Sequence, residues 1–323
     1  MHIYTINYKV TDKMTKVFID GSAGTTGLRI YERLSARRDI ELISLSEELR
    51  KDTNARKDAL QKADIAFLCL PDAAAIEAVS LAEGSNTAII DTSTAHRTNA
   101  EWTYGFPELL DDYSAIKNSK RIANPGCHAS GFIALVAPLA KAGVLKDNAP
   151  LHCFSLTGYS GGGKKMIAEY QDDARCTLLD GPRQYGLSQE HKHLGEMVKI
   201  PGISHSPLFC PIVAPFYSGM EVTVSLGADE LNAGADEIKK IYSEFYGKGT
   251  GLVRYAESAD EGGFLSASAF SGRDDMQISV FGNSDRILLV SRFDNLGKGA
   301  SGSAIQNMNI LIGADEAEGL VTT

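Results

Sequence analysis

The residues whose types and spacing could do chemistry begin with a cysteine. Cys127 follows Asn124-Pro125-Gly126 and precedes His128-Ala129-Ser130-Gly131 and the apolar run from Phe132 to Leu139. Pro125 and Gly126 break the preceding strand, and the apolar periodicity predicts a helix that starts near Cys127. Free backbone N–H groups and the positive dipole end at a helix N-terminus favour a thiolate over a thiol. A thiolate there attacks a carbonyl-type carbon. A buried cysteine that only packs would fit the residue alone equally well, so the reading depends on what the rest of the chain supplies.

A proton carrier is available in Glu190-His191-Lys192-His193-Leu194-Gly195-Glu196-Met197, which holds two of the seven histidines. If this stretch is extended, His191 and His193 share a face. If it is helical they diverge, and His193 pairs with Glu196 at i,i+3. A cysteine nucleophile needs an imidazole with an orienting carboxylate, and either histidine can serve, with Glu196 as the carboxylate. The His-x-His pair has no obvious further ligand, so no metal is expected. Anion binding is suggested at two places. Arg97 ends Asp91-Thr92-Ser93-Thr94-Ala95-His96-Arg97, after a strand, where it could clamp a carboxylate bidentately. The run Gly158 to Lys165, with Ser160, Gly161 and Lys164, could form a backbone nest for a phosphate.

The elements that would position these groups follow a regular pattern. Lys16 to Asp20 reads as a strand, Gly21-Ser22-Ala23-Gly24-Thr25-Thr26-Gly27 as a turn, and Leu28, Ile30, Tyr31 and Leu34 as a helix. Strand, glycine turn and helix form the context of a dinucleotide-binding loop, here spaced GxxGxxG, with the pyrophosphate on the helix N-terminus. The second strand, Ile40 to Leu45, ends in Ser44-Leu45-Ser46 rather than in the expected carboxylate. With Arg50 and Lys51 close behind, the small hydroxyls favour NADP over NAD, although Glu47 and Glu48 pull the other way. Further strands at Asp64 to Leu70 and Thr87 to Asp91 flank an alanine-rich helix, Asp72 to Glu83, with Asp72 as its N-cap. The expected fold is α/β, with an N-terminal parallel, doubly wound sheet. Beyond Leu151, strands at Leu151–Thr157, Phe209–Pro215, Met220–Leu226, Leu252–Tyr255, Met276–Phe281 and Asp285–Phe293 alternate in polarity with few crossovers. They predict an α+β second domain with a mostly antiparallel sheet, a helix over Asp229 to Tyr246 and a closing helix through Ile312. Residues 1–15 read as an appendage with a short strand at Ile3 to Tyr8, and Met14 stands as an alternative start.

The totals narrow the classes. A net charge of −9, with 43% hydrophobic and 23% charged residues, is that of a soluble globular chain and argues against nucleic-acid or anionic-membrane partners. No stretch approaches the apolar length of a membrane span, and no signal peptide is legible. Five cysteines without CxxC spacing suit a reducing, cytoplasmic setting.

Taken together, the glycine loop, Asp91 to Arg97 with Tyr104 to Glu108, Asn124 to Ser130, His191 to Glu196, and Asp294 to Asn307 resemble the short-form N-acetyl-gamma-glutamyl-phosphate reductases. These are relatives of the aspartate-semialdehyde dehydrogenases. The similarity runs from about Lys16 to Ile312, with Gly195 where that family often has proline. The resemblance implies NADPH-dependent reduction of N-acetyl-L-glutamyl 5-phosphate in arginine biosynthesis, through a Cys127 thioester, with aspartyl phosphate as the alternative substrate. It implies a Rossmann domain over 1–126 plus 296–323, a catalytic and dimerisation domain over 127–295, and a homodimer or homotetramer. NADP(H) would contact Gly21, Ala23, Gly24, Thr25, Thr26, Gly27, Ser44, Arg50, Pro71 and Ser93, with Asn295 and Lys298 at the nicotinamide end. Arg97, Ser160, Gly161 and Lys164 would hold the substrate. The resemblance puts the proton carrier in the His-x-His stretch and leaves the choice between its two histidines open.

Overall fold

The structure is a computed structural model that describes residues 14–247 and 251–322. The strand expected at Ile3 to Tyr8 lies outside them. The first unit is a six-stranded sheet of β1 (Thr15–Asp20), β2 (Ile40–Ile43), β3 (Ile65–Leu68), β4 (Ala88–Asp91), β5 (Thr103–Tyr104) and β6 (Arg121–Ala123). Its order is β2-β1-β3-β4-β6-β5 and every pairing is parallel. Such a sheet is covered on both faces, which is why β3 and most of β1 are buried without alternation. Helices α1 (Thr25–Leu34), α2 (Thr53–Lys62), α3 (Asp72–Leu81) and α4 (Ser114–Lys117) accompany it. The strand order turns between β1 and β3, and the ligand crevice of such a fold lies at that turn.

The second unit is a seven-stranded sheet of β7 (His152–Gly158), β8 (Arg183–Gln184), β9 (Leu208–Ala214), β10 (Met220–Gly227), β11 (Val253–Tyr255), β12 (Met276–Gly282) and β13 (Arg286–Phe293). Its order is β11-β12-β13-β10-β7-β9-β8. Four pairings are antiparallel, but β7 with β9 and β11 with β12 are parallel, so the sheet is mixed. The parallel β7–β9 pair requires a long crossover. That crossover carries α6 (Gly163–Gln171), β8 and α7 (Leu194–Lys199), the segment holding both predicted histidines. One face of the sheet packs α5 (Cys127–Lys141) and α8 (Ala235–Tyr246) into the largest core, around Phe132, Leu135, Val222, Met276 and Phe293.

Two local expectations needed revision. The helix expected from Asp229 begins at Ala235, because Leu231 bridges to Leu145 and the Gly227 N–H donates to Glu230, which closes a separate turn first. Asp72 does not cap its own helix. Pro71 stands at the N-cap, and the Asp72 carboxylate accepts from the Thr94 N–H (2.9 Å) and hydroxyl.

The chain returns to the first unit at its end. A π-helical turn, Gly297–Ser301, leads into α9 (Gly302–Ile312), whose Ala304, Ile305, Met308 and Ile310 join the core around Val17, Ile19 and Ile90. Helix α1 carries a row of arginines at i,i+4,i+8, the first two tied to the other unit and the third to α9. Arg29 pairs with Asp294 (3.2 Å), Arg33 with Asp274 and Arg37 with Asn309. Helix α5 approaches β10 and β13 so closely at Gly131 that a Cβ there would lie 2.5 Å from the Val222 side chain and 2.8 Å from Phe293. Gly131→Val is therefore expected to destabilise the protein by about 1–3 kcal/mol through overpacking, read as a lower midpoint in urea with an unchanged slope.

Candidate active site

Cys127 is the first residue of α5, after Gly126 in extended conformation as N-cap, so its placement follows the sequence expectation. It is partly buried beside a cavity of about 600 Å3. Two glycines enclose it. A Cβ on Gly126 would lie 2.3 Å from an Arg97 nitrogen, 2.6 Å from Glu196 Oε1 and 2.6 Å from His193 Nε2. A Cβ on Gly299, in the π-helical turn, would lie 2.9 Å from Cys127 Cβ. Burial raises the Cys127 thiol above its ordinary pKa, and the Arg97 guanidinium and the His128 backbone N–H offset part of that rise. The helix N-terminus thus moderates desolvation and does not overcome it.

Glu196 and Arg97 do not take the roles assigned from the sequence. Glu196 accepts from Arg97 (2.9 Å), the Tyr104 hydroxyl (2.7 Å) and the Gly126 N–H (3.2 Å), and it makes no bond to His193. It secures the loop before the nucleophile. Arg97 donates to the Asn124 carbonyl, to Glu196 and to the Thr92 carbonyl, each at 2.9 Å. Three of its five donors are thus committed to the protein, and the side chain still lines the cavity. Other cations line the cavity: Arg183, steadied over the Tyr170 ring, and Lys192.

The structure separates the two histidines by environment. His193 is buried, with Nε2 against Gly126 and Nδ1 unpartnered. His191 is half-buried, and its Nδ1 accepts from the His193 backbone N–H (3.2 Å). A third imidazole, His128, packs against both, with ring centroids 5.6 Å from His191 and 5.7 Å from His193. Sequence reasoning passed over His128, Arg183, Tyr185 and Lys192. Adjacency to Cys127 and the position between two histidines were the available signals for His128 and Lys192. Arg183 and Tyr185 lie on and beside a two-residue strand with no periodicity to reveal it.

Several other expected contacts go elsewhere. Ser160 is buried and accepts from Asn295 (3.0 Å), and Gly158, Gly161 and Gly162 of its loop reach the Cys127 cavity. Tyr159–Gly162 forms a 3-10 turn before α6, whose N-terminus has no side-chain cap. Lys164 instead lines the neighbouring cavity of about 750 Å3, with Gly21, Ala23, Ser44, Arg50 and Lys51. Lys298 is 1% exposed and donates to Glu108 (2.6 Å) and Gln306 (2.5 Å), which removes it from both cavities. The Ser93 hydroxyl is spent on Asp91 (2.7 Å). Pro71 is an exposed helix cap between Leu70 and Ala74, which do line the larger cavity. Asn295 lines the Cys127 cavity, with its carbonyl oxygen held by the Gly219 N–H (3.0 Å).

The larger cavity fits a dinucleotide. A Cβ on Gly21 would lie 2.3 Å from the Cys69 carbonyl, and one on Gly27 2.4 Å from the Gly21 carbonyl, so the loop folds only as glycine. No side chain caps α1, and the buried Thr25 hydroxyl has no partner, so its N-terminus is open to an anion. Ser44, Arg50 and Lys51 line the cavity, and Glu47 and Glu48 do not, an arrangement suited to a 2′-phosphate. Thr26, from the same loop, lines the Cys127 cavity, which brings the two sites into contact.

Comparison with known proteins places these features in one group. Residues 16–118 match the semialdehyde dehydrogenase NAD binding domain, and residues 127–295 match the semialdehyde dehydrogenase dimerisation domain. N-acetyl-gamma-glutamyl-phosphate reductase 2 of Nostoc sp. is 44% identical over 319 residues, covering 94% of this chain and 99% of that protein. The reductase of Sinorhizobium medicae is 42% identical over 308 residues, covering 93% and 99%. Among solved structures, aspartate semialdehyde dehydrogenase II of Vibrio cholerae, complexed with ASA, superposes with a TM-score of 0.70 at 17% identity, covering 93% and 98%. The enzyme from Francisella tularensis gives 0.69 at 18%, covering 93% and 100%. At these identities the likeness concerns the fold alone.

The three imidazoles set a pH dependence. Burial lowers His128 to about 3 and His191 to about 4, and it lowers His193 in the same direction, helped by Arg97. In the unfolded chain each titrates near the ordinary ~6.5. Below that pH the unfolded state takes up protons that the folded state refuses, so stability falls as pH drops from about 6.5 toward about 4. His128→Gln removes one of these groups. It is expected to reduce the slope of unfolding free energy against pH in that window by about 1.4 kcal/mol per pH unit, measured by urea titration.

Proposed function

The chain belongs to the N-acetyl-gamma-glutamyl-phosphate reductases of the semialdehyde dehydrogenase family, and on that premise we propose how its residues carry the reaction. It reduces N-acetyl-L-glutamyl 5-phosphate with NADPH to the 5-semialdehyde and phosphate, a step of arginine biosynthesis. The observation that carries the residue roles is one cavity holding Cys127, His193, the basic side chains of Arg97, Arg183 and Lys192, and the Thr26 edge of the dinucleotide loop.

Cys127 Sγ attacks the acyl carbon, a C–S bond forms, and the C–O bond to phosphate breaks with its electron pair leaving on phosphate. The Gly21 to Gly27 loop, with Ser44, Arg50 and Lys51, would hold NADPH, which would supply the hydride when bound. His193, whose Nε2 lies against the nucleophile loop, is the acid/base. It takes the Cys127 proton and returns a proton to the oxygen that develops on the substrate carbon. When that hydroxyl gives the proton up again, the C–S bond breaks with its electron pair on Sγ, which frees the aldehyde and the Cys127 thiolate. His191 orients His193 through its backbone N–H. A neutral imidazole suits a group that must first accept a proton, and burial keeps His193 neutral. Arg183 and Lys192 take the substrate carboxylate and phosphate, because Arg97 is engaged by Asn124, Glu196 and Thr92.

The chain divides as 1–126 plus 296–323 for the cofactor and 127–295 for catalysis and assembly. The face of the second sheet turned away from α5 exposes Leu208 and Leu288, which share one row across β9, β7, β10 and β13, and Phe154, two residues along β7 from that row. This apolar face, in a unit matching a dimerisation domain, supports assembly of identical chains through it. Among the described residues, no helix is long and apolar enough to cross a membrane.

The test is oxidation of N-acetyl-L-glutamate 5-semialdehyde by NADP+, which should require inorganic phosphate. Turnover of aspartate semialdehyde alone would overturn the substrate assignment. Cys127→Ala should lower kcat at least about 10^4-fold and leave the NADPH dissociation constant, read by fluorescence, within twofold of the parent. Arg183→Gln should raise KM for the semialdehyde about tenfold or more, as expected when a charged hydrogen bond to substrate is removed.

A further inference from the structure

His128 follows the nucleophile directly, is 3% exposed, and has both ring nitrogens engaged by hydroxyl groups. Nδ1 lies 2.6 Å from Ser155 Oγ and Nε2 lies 2.6 Å from the Tyr185 hydroxyl. Ser155 is fully buried on β7, and its hydroxyl makes no other hydrogen bond among the described residues. Tyr185 is half-buried and its ring lines the Cys127 cavity.

Counting protons along this chain assigns its direction. The ring is neutral, because burial disfavours the imidazolium, so it carries one N–H. If that proton sat on Nδ1, it would be donated to Ser155, and the Ser155 proton would be buried without an acceptor. If it sits on Nε2, the Ser155 hydroxyl donates to Nδ1 and Nε2–H donates to the Tyr185 oxygen, so every buried donor is satisfied. An unsatisfied buried donor is costly, which selects the second arrangement. The Tyr185 proton is then not used within the chain. Its remaining direction is the cavity.

We propose that the Ser155–His128–Tyr185 chain fixes the Tyr185 hydroxyl as a hydrogen-bond donor to a carbonyl or carboxylate oxygen of the substrate held in front of Cys127. His128 and Ser155 are positioning residues, and Tyr185 is the group that touches substrate. The inference rests on the reductase reading of this cavity for the identity of the substrate, and on the hydrogen-bond geometry and burial of the His128 ring for the direction of the chain.

Steady-state kinetics on N-acetyl-L-glutamate 5-semialdehyde test the first part. Tyr185→Phe should raise KM about tenfold with kcat within about threefold, because a contact made equally in the ground and transition states is lost. His128→Phe should raise KM comparably, and the double variant should be no worse than either single one. His128→Gln, whose amide can still donate to Tyr185, should stay within about threefold of the parent. An unchanged KM in Tyr185→Phe, or additive effects in the double variant, would overturn the proposal. Nitrogen-15 NMR of histidine-labelled protein tests the direction independently of turnover, by showing whether His128 carries its proton on Nε2. A proton on Nδ1 refutes the chain even in an active enzyme. An inactive parent protein with the Nε2 tautomer would instead count against the reductase reading and leave the assigned direction standing.

Discussion

The buried pair of Arg97 and Glu196 is the constraint on which the site depends. Each would be expensive to bury alone, and each is bonded to the other and to backbone groups. Arg97 comes from the loop after β4 in the first unit, and Glu196 comes from α7 in the crossover of the second. Between them lies Gly126, whose N–H donates to Glu196 and whose missing side chain leaves room for Arg97, Glu196 and His193 to meet. The nucleophile is the next residue. Its position is therefore set by a charge pair that spans both units, and no element holds it alone. A carboxylate expected to orient an imidazole turns out to hold the backbone beside the thiol, a more rigid attachment than side-chain pairing would give.

The second connection between the units is electrostatic and runs along α1. The helix whose N-terminus faces the dinucleotide loop presents Arg29 and Arg33 to Asp294 and Asp274, both fully buried. Asp294 also accepts from the Leu296 and Gly297 N–H groups (2.7 and 2.9 Å) and shapes the turn that brings Gly299 against Cys127. Helix α1 and the turn that backs the thiol are thus joined by a single ion pair.

Most of the fold was legible because its signals are local. β-branched runs ending in glycine, alternation beyond Leu151 and apolar periodicity after Cys127 each report a single element's burial. Legibility failed where a residue's role depends on a distant partner. Lys298 reads as a cation near a ligand until Glu108, 190 positions earlier, is seen to occupy it. Ser160 and Ser93 are small polar residues in glycine- or hydroxyl-rich loops, and their hydroxyls are taken by Asn295 and Asp91. Lys164 was read with its own loop, but the packing of the two units points it at the other cavity. Cys127 and the glycine loop were found because backbone geometry, which sequence encodes best, is what they require. Tyr185 and Arg183 were not, since a two-residue strand leaves no pattern.

The return of α9 to the first sheet also bears on synthesis. The core around Val17, Ile19 and Ile90 is completed by Ile305, Met308 and Ile310, from the far end of the chain. Contacts of that sequence separation form late and slowly. As the ribosome extends the polypeptide, the amino-terminal sheet emerges early with one side of its core open, while the intervening domain can close on its own α5 and α8. Until α9 has been made and packed, the amino-terminal sheet therefore lacks part of its apolar lining, while Cys127 already stands at the start of α5.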